Sequence, residues 1–213
     1  MITNLFALAL YAITTSRTLA ADFVLDATRV RAEQSFSLNN RYADKWVNDV
    51  FKDNILLTLS YMNGGVPSRN VAWSDIEKPQ SYSFTLNPGE VFAFHEDVSP
   101  EYKGKVTKTM NAHFNYDDGF KSSGYLFGDG VCHLASLLYR AAKDAGLGAV
   151  APTNHDFAAI PEVPREYGVS IYFGPNAHGR SVRQNLYIAN TFDKPVHFVF
   201  VFDGTNLTVR VVS

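Results

Sequence analysis

The stretch that decides the fold is GDGVCHLASLLYRAAKDAGL, residues 128–147, which contains the only cysteine of the chain, Cys132. Asp129 is a common helix N-cap and Gly146 a common helix terminator, so the stretch predicts a helix of about fifteen residues. One side of this helix would be apolar and the other polar. The polar arc contains His133, Ser136, Arg140, Lys143 and Asp144. Cys132 lies at the border, and we expect its sulfur to face a cleft.

A cysteine in the first turn of a helix is well placed to act as a nucleophile. The free N–H groups and partial positive charge of a helix N-terminus stabilise a thiolate. The same N–H groups can bind the oxyanion that forms when sulfur attacks a carbonyl. Gly128 and Gly130 would let a substrate approach closely, and with Asp129 and His133 they are candidate substrate-binding residues. A small, buried and unreactive cysteine is the alternative interpretation.

The composition excludes several partners. A formal net charge of −2 with no basic block argues against nucleic acid. A single cysteine permits no internal disulfide. A zinc site would need Cys132, His133 and His155 plus a carboxylate, without the close paired spacing that marks such sites. We therefore expect no metal and no cofactor.

The N-terminus predicts export from the cytoplasm. Leu5 to Ile13 (LFALALYAI) is an apolar run of the length found in secretory signals, and it is followed by small residues at Ala20 and Ala21. We expect residues 1–21 to be a signal peptide, although no Lys or Arg precedes the run. A buried first helix and an uncleaved anchor are the alternatives. The prediction is a secreted or extracytoplasmic protein, in the cell envelope, with no stable membrane insertion after cleavage.

The rest of the chain predicts one main domain, residues 51–213, after an N-terminal extension, residues 22–50. The extension predicts a short strand and then a helix, and Ile55–Tyr61 fits either a continuation of that helix or a strand. Apolar runs bounded by turn residues predict six further strands. These are Tyr82–Leu86, Val91–Phe94, Val169–Phe173, Asn185–Ala189, Val196–Phe202 and Leu207–Val212.

The last two of these strands predict a hairpin through the turn at residues 203–206. Val196–Phe202 is apolar on both faces, which is typical of a central strand. The predicted fold class is α+β, with an antiparallel sheet and one principal helix that carries Cys132 at its N-terminus.

Four segments resemble the VanW-like family of bacterial cell-envelope proteins, which is associated with glycopeptide (vancomycin) resistance. The stretch at residues 128–147 is similar to the family's G-G-G-V-C-Q-x-S-x-x-L-Y-x-A-A-x-x-A-G-L. LNPGEVFAFHEDV (86–98), Asn154-His155 and NLYIANTFDKPVHF (185–198) resemble three further family motifs, in the family's order. The likeness covers about residues 50–210. It implies the family's fold, an extracytoplasmic location and cell-wall peptide or glycan as partner.

Three positions depart from the family pattern. His133 stands where Gln is usual, Asp129 where Gly is usual and Asp156 where Ser is usual. If that Gln helps to bind substrate in the family, the departure implies an altered specificity or a loss of activity in this chain.

The cysteine and the following alanine-rich helix also resemble, more distantly, the nucleophile helix of transglutaminase-like and papain-like cysteine enzymes. That resemblance implies a histidine base and an orienting Asn or Asp later in the chain. His155 is our candidate base and Asn185 our candidate orienting residue, with Asp156 and Asp193 as alternatives; His133 is a less suitable base. This likeness is an analogy between folds, and it supports the assigned roles less directly than the sequence motifs support the family resemblance.

The remaining candidates concern substrate binding. Arg165, in the loop PEVPREY, could bind a carboxylate, and Tyr125 and Phe127 could line a groove for glycan or peptide. Two functions follow. The first is a cysteine-type hydrolase or acyl transferase that acts on amide or peptide bonds of cell-wall material. The second is a non-catalytic wall-binding or assembly module of the same fold.

Overall fold

The fold is described from a computed structural model, which defines residues 30–124, 127–174 and 179–213. The predicted signal peptide, residues 1–21, and Tyr125 lie outside the described residues. The strands are β1 Val30–Ser37, β2 Gln80–Leu86, β3 Val91–Ala93, β4 Val106–Lys108, β5 Gly148–Val150, β6 Tyr187–Ala189, β7 Val196–Phe202 and β8 Asn206–Val212. The helices are α1 Lys45–Met62, α2 Trp73–Ile76, α3 Val131–Asp144 and α4 Arg180–Arg183.

The larger sheet is antiparallel throughout, with strand order β1-β8-β7-β2. β7 lies between β8 and β2, so the prediction of a central strand is confirmed, as is the hairpin between β7 and β8. Phe198, Phe200 and Phe202 are buried along one face of β7. Phe84 on β2 stacks on Phe198 with ring centroids 4.7 Å apart, which shows that cross-strand aromatic packing stabilises this pairing.

The described part of the predicted N-terminal extension belongs to this core. β1 forms the edge of the larger sheet and pairs with β8 from Val30 opposite Val212 to Ser37 opposite Asn206. α1 starts at Lys45 after Asp44, whose carboxylate accepts from the Val47 N–H at 3.0 Å as an N-cap. The helix continues to Met62, so Ile55–Tyr61 is helical.

A second, smaller sheet has the order β4-β3-β6-β5. Its β3–β4 pair is parallel, whereas β3–β6 and β5–β6 are antiparallel. The α+β class is confirmed, and the structure adds this second sheet to the sheet that the sequence predicts. Among the described residues, no helix has the length and apolar character needed to cross a membrane.

Helix α3 packs on β1, β8 and β5 and contacts α1. Gly146 follows its end with φ +81°, as predicted for a helix terminator. The predicted N-cap is wrong: Gly130 occupies that position with φ +99°, and Asp129 instead accepts from the Ser123 N–H at 2.9 Å. Two residues of the predicted polar arc, His133 and Ser136, are not exposed to solvent. Both are buried, because α1 and the segment around Val169 cover that face of the helix.

The predicted strand Val169–Phe173 is an extended segment without strand pairing. Its N–H groups bond to groups outside the sheets: Val169 N–H to Ser136 Oγ at 2.8 Å and Ile171 N–H to Cys132 Sγ at 3.4 Å. Val169, Ser170 and Ile171 are therefore buried by packing along α3 rather than within a sheet. This segment forms one wall of the candidate site.

Candidate functional site

A cleft of about 460 Å³ opens at the start of α3 and brings most of the predicted site residues together. Its wall includes Cys132, His133 and His155, although these residues come from two separate parts of the chain. The cleft is also lined by the three residues directly before α3, which are Gly128, Asp129 and Gly130. The described residues contain no group of three or more His, Cys, Asp or Glu side chains arranged to hold a metal ion.

Cys132 is held as a thiol by its surroundings. The residue is half-buried, and its sulfur accepts from the Ile171 N–H at 3.4 Å and lies 3.7 Å from the Ile171 carbonyl oxygen, to which an S–H can donate. Burial, and to a smaller extent the nearby charge of Asp129, raise the pKa of Cys132 to about 11, although the Ile171 N–H opposes the shift. The described residues show no hydrogen bond between this sulfur and either cleft imidazole.

The N–H groups of the first helical turn are mostly used within the protein. The N–H of Val131 donates to Gly128 O at 3.1 Å, and those of His133 and Leu134 donate to Gly130 O at 3.0 and 3.2 Å. The Cys132 N–H is therefore the first-turn donor without a carbonyl partner in the preceding turn. The predicted oxyanion support is reduced to that one group.

The glycines beside the cysteine make room for the protein's own backbone. A Cβ on Gly130 would lie 2.6 Å from the carbonyl oxygen of Phe51 in α1. A Cβ on Gly128 would lie 2.8 Å from the Cβ of Phe114. Close packing against neighbouring segments therefore explains these two glycines, in addition to their positive φ angles.

His133 is a neutral, buried residue of the cleft wall. It is 6% exposed, and its ring packs on Phe51 with centroids 5.0 Å apart. Burial lowers the pKa of His133 to about 3, with smaller contributions in the same direction from Arg41 and His155. Its Nδ1 is buried without a hydrogen-bond partner.

His155 reaches the same cleft from the loop after β5. It is 7% exposed, its ring centroid lies 6.2 Å from that of His133, and its Nδ1 lies 3.1 Å from the carbonyl oxygen of Ala158. Burial lowers its pKa, while the Ala158 carbonyl opposes that shift. The backbone of the loop, rather than a side chain, therefore orients this imidazole.

Two predicted residues lie elsewhere. Asn185 is fully buried and bonds to the backbone of its own neighbour and of residues 95–97, and its Nδ2 lies 3.3 Å from the Nδ1 of His95. It is not part of the cleft wall and does not bond to His155. Arg165 donates to the Asp156 carbonyl oxygen at 3.1 Å and is not among the residues that line the cleft.

Sequence reasoning missed Arg41, a buried cation in the cleft wall. Its side chain has no exposed surface, and its Nη2 donates to Glu162 at 2.6 Å. The Nε atom is buried and has no partner. No local pattern marks this residue as buried, because residues 39–44 are mostly polar.

Exposed aromatic rings surround the mouth of the cleft. Tyr42 is 53% exposed, Phe127 48% and Phe157 76%, and all three line it. The exposed ring of Tyr116 packs against Phe127 with centroids 5.8 Å apart. The prediction that Phe127 lines a groove agrees with its position, whereas Phe157 and Tyr42 were not predicted. Clustered exposed aromatics are typical of a binding surface.

The fold and cleft thus define an α+β protein with a ligand-sized cavity at the start of its central helix. The sequence matches the family described as VanW like protein over residues 79–212, which is more than half of the chain. The chain therefore belongs to the VanW-like family, as its motifs predict. No curated protein and no solved structure matches it.

Proposed function

We propose that this VanW-like protein acts outside the cytoplasm and binds a peptide or glycan segment of cell-wall material in the cleft at the start of α3. The observation that carries the proposal is the combination of uncharged polar side chains in the cleft wall, Cys132 and His133, with a rim of exposed aromatic rings. Sugars and peptides both present apolar faces next to polar groups. Such ligands suit a mostly apolar cleft with a few convergent polar atoms.

The state of Cys132 favours binding over catalysis as the first proposal. A thiol with a pKa of about 11 is almost entirely protonated at neutral pH. Both cleft imidazoles have lowered pKa values and are neutral there, so no imidazolium is available to stabilise a thiolate. The extracytoplasmic location is part of the proposal and is supported by the family membership and by the predicted signal at residues 1–21.

Co-sedimentation with purified peptidoglycan tests this function. Phe127→Ala and Phe157→Ala should each weaken binding about five- to tenfold, since each removes a ring from the rim. Trp46→Ala is the matched control, because Trp46 is 60% exposed but does not line the cleft. Absence of wall binding, or an equal loss in all three variants, would overturn the proposal.

A cysteine-type hydrolase or acyl transferase is the second candidate, favoured by the presence of Cys132 and His155 in one cleft. In this reaction the S–H proton passes to Nε2 of His155 as sulfur attacks the carbonyl carbon of an amide. The tetrahedral intermediate then loses the amine, which takes that proton, and leaves a thioester. Water or another amine then attacks the thioester carbon and breaks the C–S bond. The acyl group leaves as a carboxylic acid or a new amide, and the proton lost by the attacking group returns to the sulfur through His155, which regenerates the thiol.

Alkylation by iodoacetamide between pH 5 and 9 separates the two candidates. A binding protein should react at pH 7 at about one hundredth of the rate of a free cysteine, because its thiolate fraction is lower. A catalytic thiolate should react well below pH 8 and lose that reactivity in His155→Ala. The second outcome would replace the binding proposal by the catalytic one.

A further inference from the structure

Asp129 is the one acidic side chain among the described residues that line the cleft. Its Oδ2 accepts from the Ser123 N–H at 2.9 Å, and no described group donates to its Oδ1. That oxygen is not among the buried atoms without a partner, so it is accessible from outside the protein. The charge of Asp129 also contributes to the raised pKa of Cys132, which indicates that the carboxylate lies near the sulfur in the cleft wall.

The positive groups of the cleft wall do not neutralise this carboxylate. The side chain of Arg41 has no exposed surface, and its guanidinium donates to Glu162. Burial lowers the pKa of both His133 and His155, so these rings are neutral at pH 7. The start of α3 contributes about half a positive charge, which is less than the full negative charge of Asp129.

A second negative group lies in the cleft wall around His113. Its Nε2 is 3.1 Å from Oε1 of Glu96, and its Nδ1 is 3.1 Å from Oδ2 of Asp118. Two carboxylates and one imidazole have a net negative charge whether the ring is neutral or protonated. A cleft lined by groups of one sign focuses their field and favours ligands of the opposite sign.

Aromatic rings form much of the remaining surface of the cleft. Tyr42 and Phe51 contact each other with ring centroids 5.7 Å apart, and Phe127 and Phe157 expose their rings at the mouth. The face of an aromatic ring attracts a cation within about 6 Å of its centroid, most strongly where water is excluded. These rings therefore add to the preference for positive charge.

We propose that the cleft selects ligands that carry an ammonium group, which donates to Asp129 and lies among the aromatic rings of the cleft. This inference rests on the proposed binding function and specifies the chemistry of its ligand. An ammonium group has three N–H donors, so it can reach one carboxylate oxygen in several orientations. Free amines occur in peptides and in amino sugars that are not acetylated, so both sources share the required chemistry.

Anionic and neutral ligands fit this cleft less well. An anion would face both Asp129 and the Nε2 lone pair of His155, whose Nδ1 carries the hydrogen because it lies 3.1 Å from the carbonyl oxygen of Ala158. A neutral ligand would contact the rings but would cover Asp129 without supplying an opposite charge.

Pairs of probes that differ only in charge test the inference on the unmodified protein. Nα-acetyllysine methylamide and glucosamine carry an ammonium group at pH 7, whereas their N-acetylated forms do not. In titrations followed by backbone amide shifts, a charged probe should bind about tenfold more tightly than its acetylated form and shift the amides of Phe127 and Asp129. A preference in one pair only assigns the source as peptide or sugar. Equal affinities within both pairs would overturn the inference.

Asp129→Asn provides the matched variant, because its amide oxygen can still accept from the Ser123 N–H. It should weaken binding of the responding charged probe about tenfold and leave the affinity for the acetylated form unchanged. Asp75→Asn is the control, since it removes the same charge from a residue that does not line the cleft. Equal losses in the two variants would contradict the assignment of Asp129.

The same probes separate this inference from the proposed function. Wall binding that depends on Phe127 and Phe157, without any preference for the charged probes, would overturn the ammonium site and leave the proposed function intact. A preference for the charged probes without wall binding would overturn the proposed function and leave the ammonium site.

Discussion

Nη2 of Arg41 donates to Oε2 of Glu162 at 2.6 Å, and this contact joins the segment before α1 to the loop that follows His155. The guanidinium also lies 4.0 Å from the ring of Phe36 and donates to the Pro161 carbonyl oxygen at 3.1 Å. Burial lowers the pKa of Arg41 to about 10, and Glu162 opposes the shift, so the side chain stays charged at neutral pH. The cleft wall therefore contains a buried cation whose charge is balanced by one carboxylate, that of Glu162.

Removal of that carboxylate should destabilise the fold. We expect Glu162→Gln to lower the free energy of unfolding by about 1–2 kcal/mol, since the guanidinium stays buried while the partly exposed carboxylate is lost. Urea denaturation at pH 7 measures it. The double variant Arg41→Met/Glu162→Gln should be at least as stable as Glu162→Gln. Asp49→Asn, which breaks the exposed pair with Lys45, is the control and should have little effect. If Glu162→Gln and Asp49→Asn lost the same free energy of unfolding, the buried Arg41–Glu162 pair would not be worth more than an exposed pair, which would contradict this prediction.

Gly130 should tolerate no side chain. Gly130→Ala combines a φ of +99° with a Cβ 2.6 Å from the backbone of Phe51, so we expect a loss of about 3–5 kcal/mol in unfolding free energy. Gly89→Ala is the control, because φ is +79° but no atom lies within 4 Å of the new Cβ. That variant should lose only about 1 kcal/mol. Thermal or urea unfolding compares them, and equal losses would show that α1 does not pack closely here.

Local patterns predicted the helix and the hairpin because both are made by residues close in sequence. The apolar residues of α3 recur with the period of a helix, and β7 and β8 are separated by a short turn. The second sheet was not predicted, since β3 pairs with both β4 and β6 and no local pattern encodes such distant partners. Val169–Phe173 has the apolar content of a strand, but the N–H groups of Val169 and Ile171 bond to side chains of α3. Those of Ser170 and Tyr172 bond to carbonyl oxygens of loop residues rather than to a neighbouring strand.

The site was predicted in part for the same reason. Cys132 and its neighbours could be found because the helix start is a local feature, and His155 was found through the resemblance between motifs. Arg41 and Phe51 could not be found, because their position in the cleft depends on how α1 packs against α3. The burial of His133 was missed for the same reason. Helical periodicity predicts which residues share the polar side of α3, but it does not predict that α1 packs over that side.

Asn185 should have a structural role. We expect Asn185→Ala to lower the free energy of unfolding by about 2–4 kcal/mol, because it leaves several buried backbone groups without partners. The rate at which iodoacetamide alkylates Cys132 in folded Asn185→Ala should equal that of the unmodified protein. Asn190→Ala is a matched control, since Asn190 is equally buried and bonds to the carbonyl oxygens of Leu86 and Lys194. A change in alkylation rate in Asn185→Ala alone would instead place this residue in a catalytic arrangement.

His133 should make stability depend on pH below neutrality. Its pKa is about 3 in the folded protein, chiefly because of burial and secondly because of Arg41 and His155, against about 6.5 when unfolded. As pH falls from 6.5 towards 3, the unfolded chain binds a proton here that the folded chain does not, so stability is present above this window and is lost within it. The slope for one such group is about 1.4 kcal/mol per pH unit.

His133→Gln isolates this effect, since an amide does not titrate. Urea unfolding at pH 6.5, 5.5 and 4.5 should show the unmodified protein losing about 2 kcal/mol more than the variant. The raised pKa of Asp53 acts in the opposite direction but is common to both proteins, so it cancels in the difference. Parallel stability curves would mean that His133 is accessible to protons in the folded state.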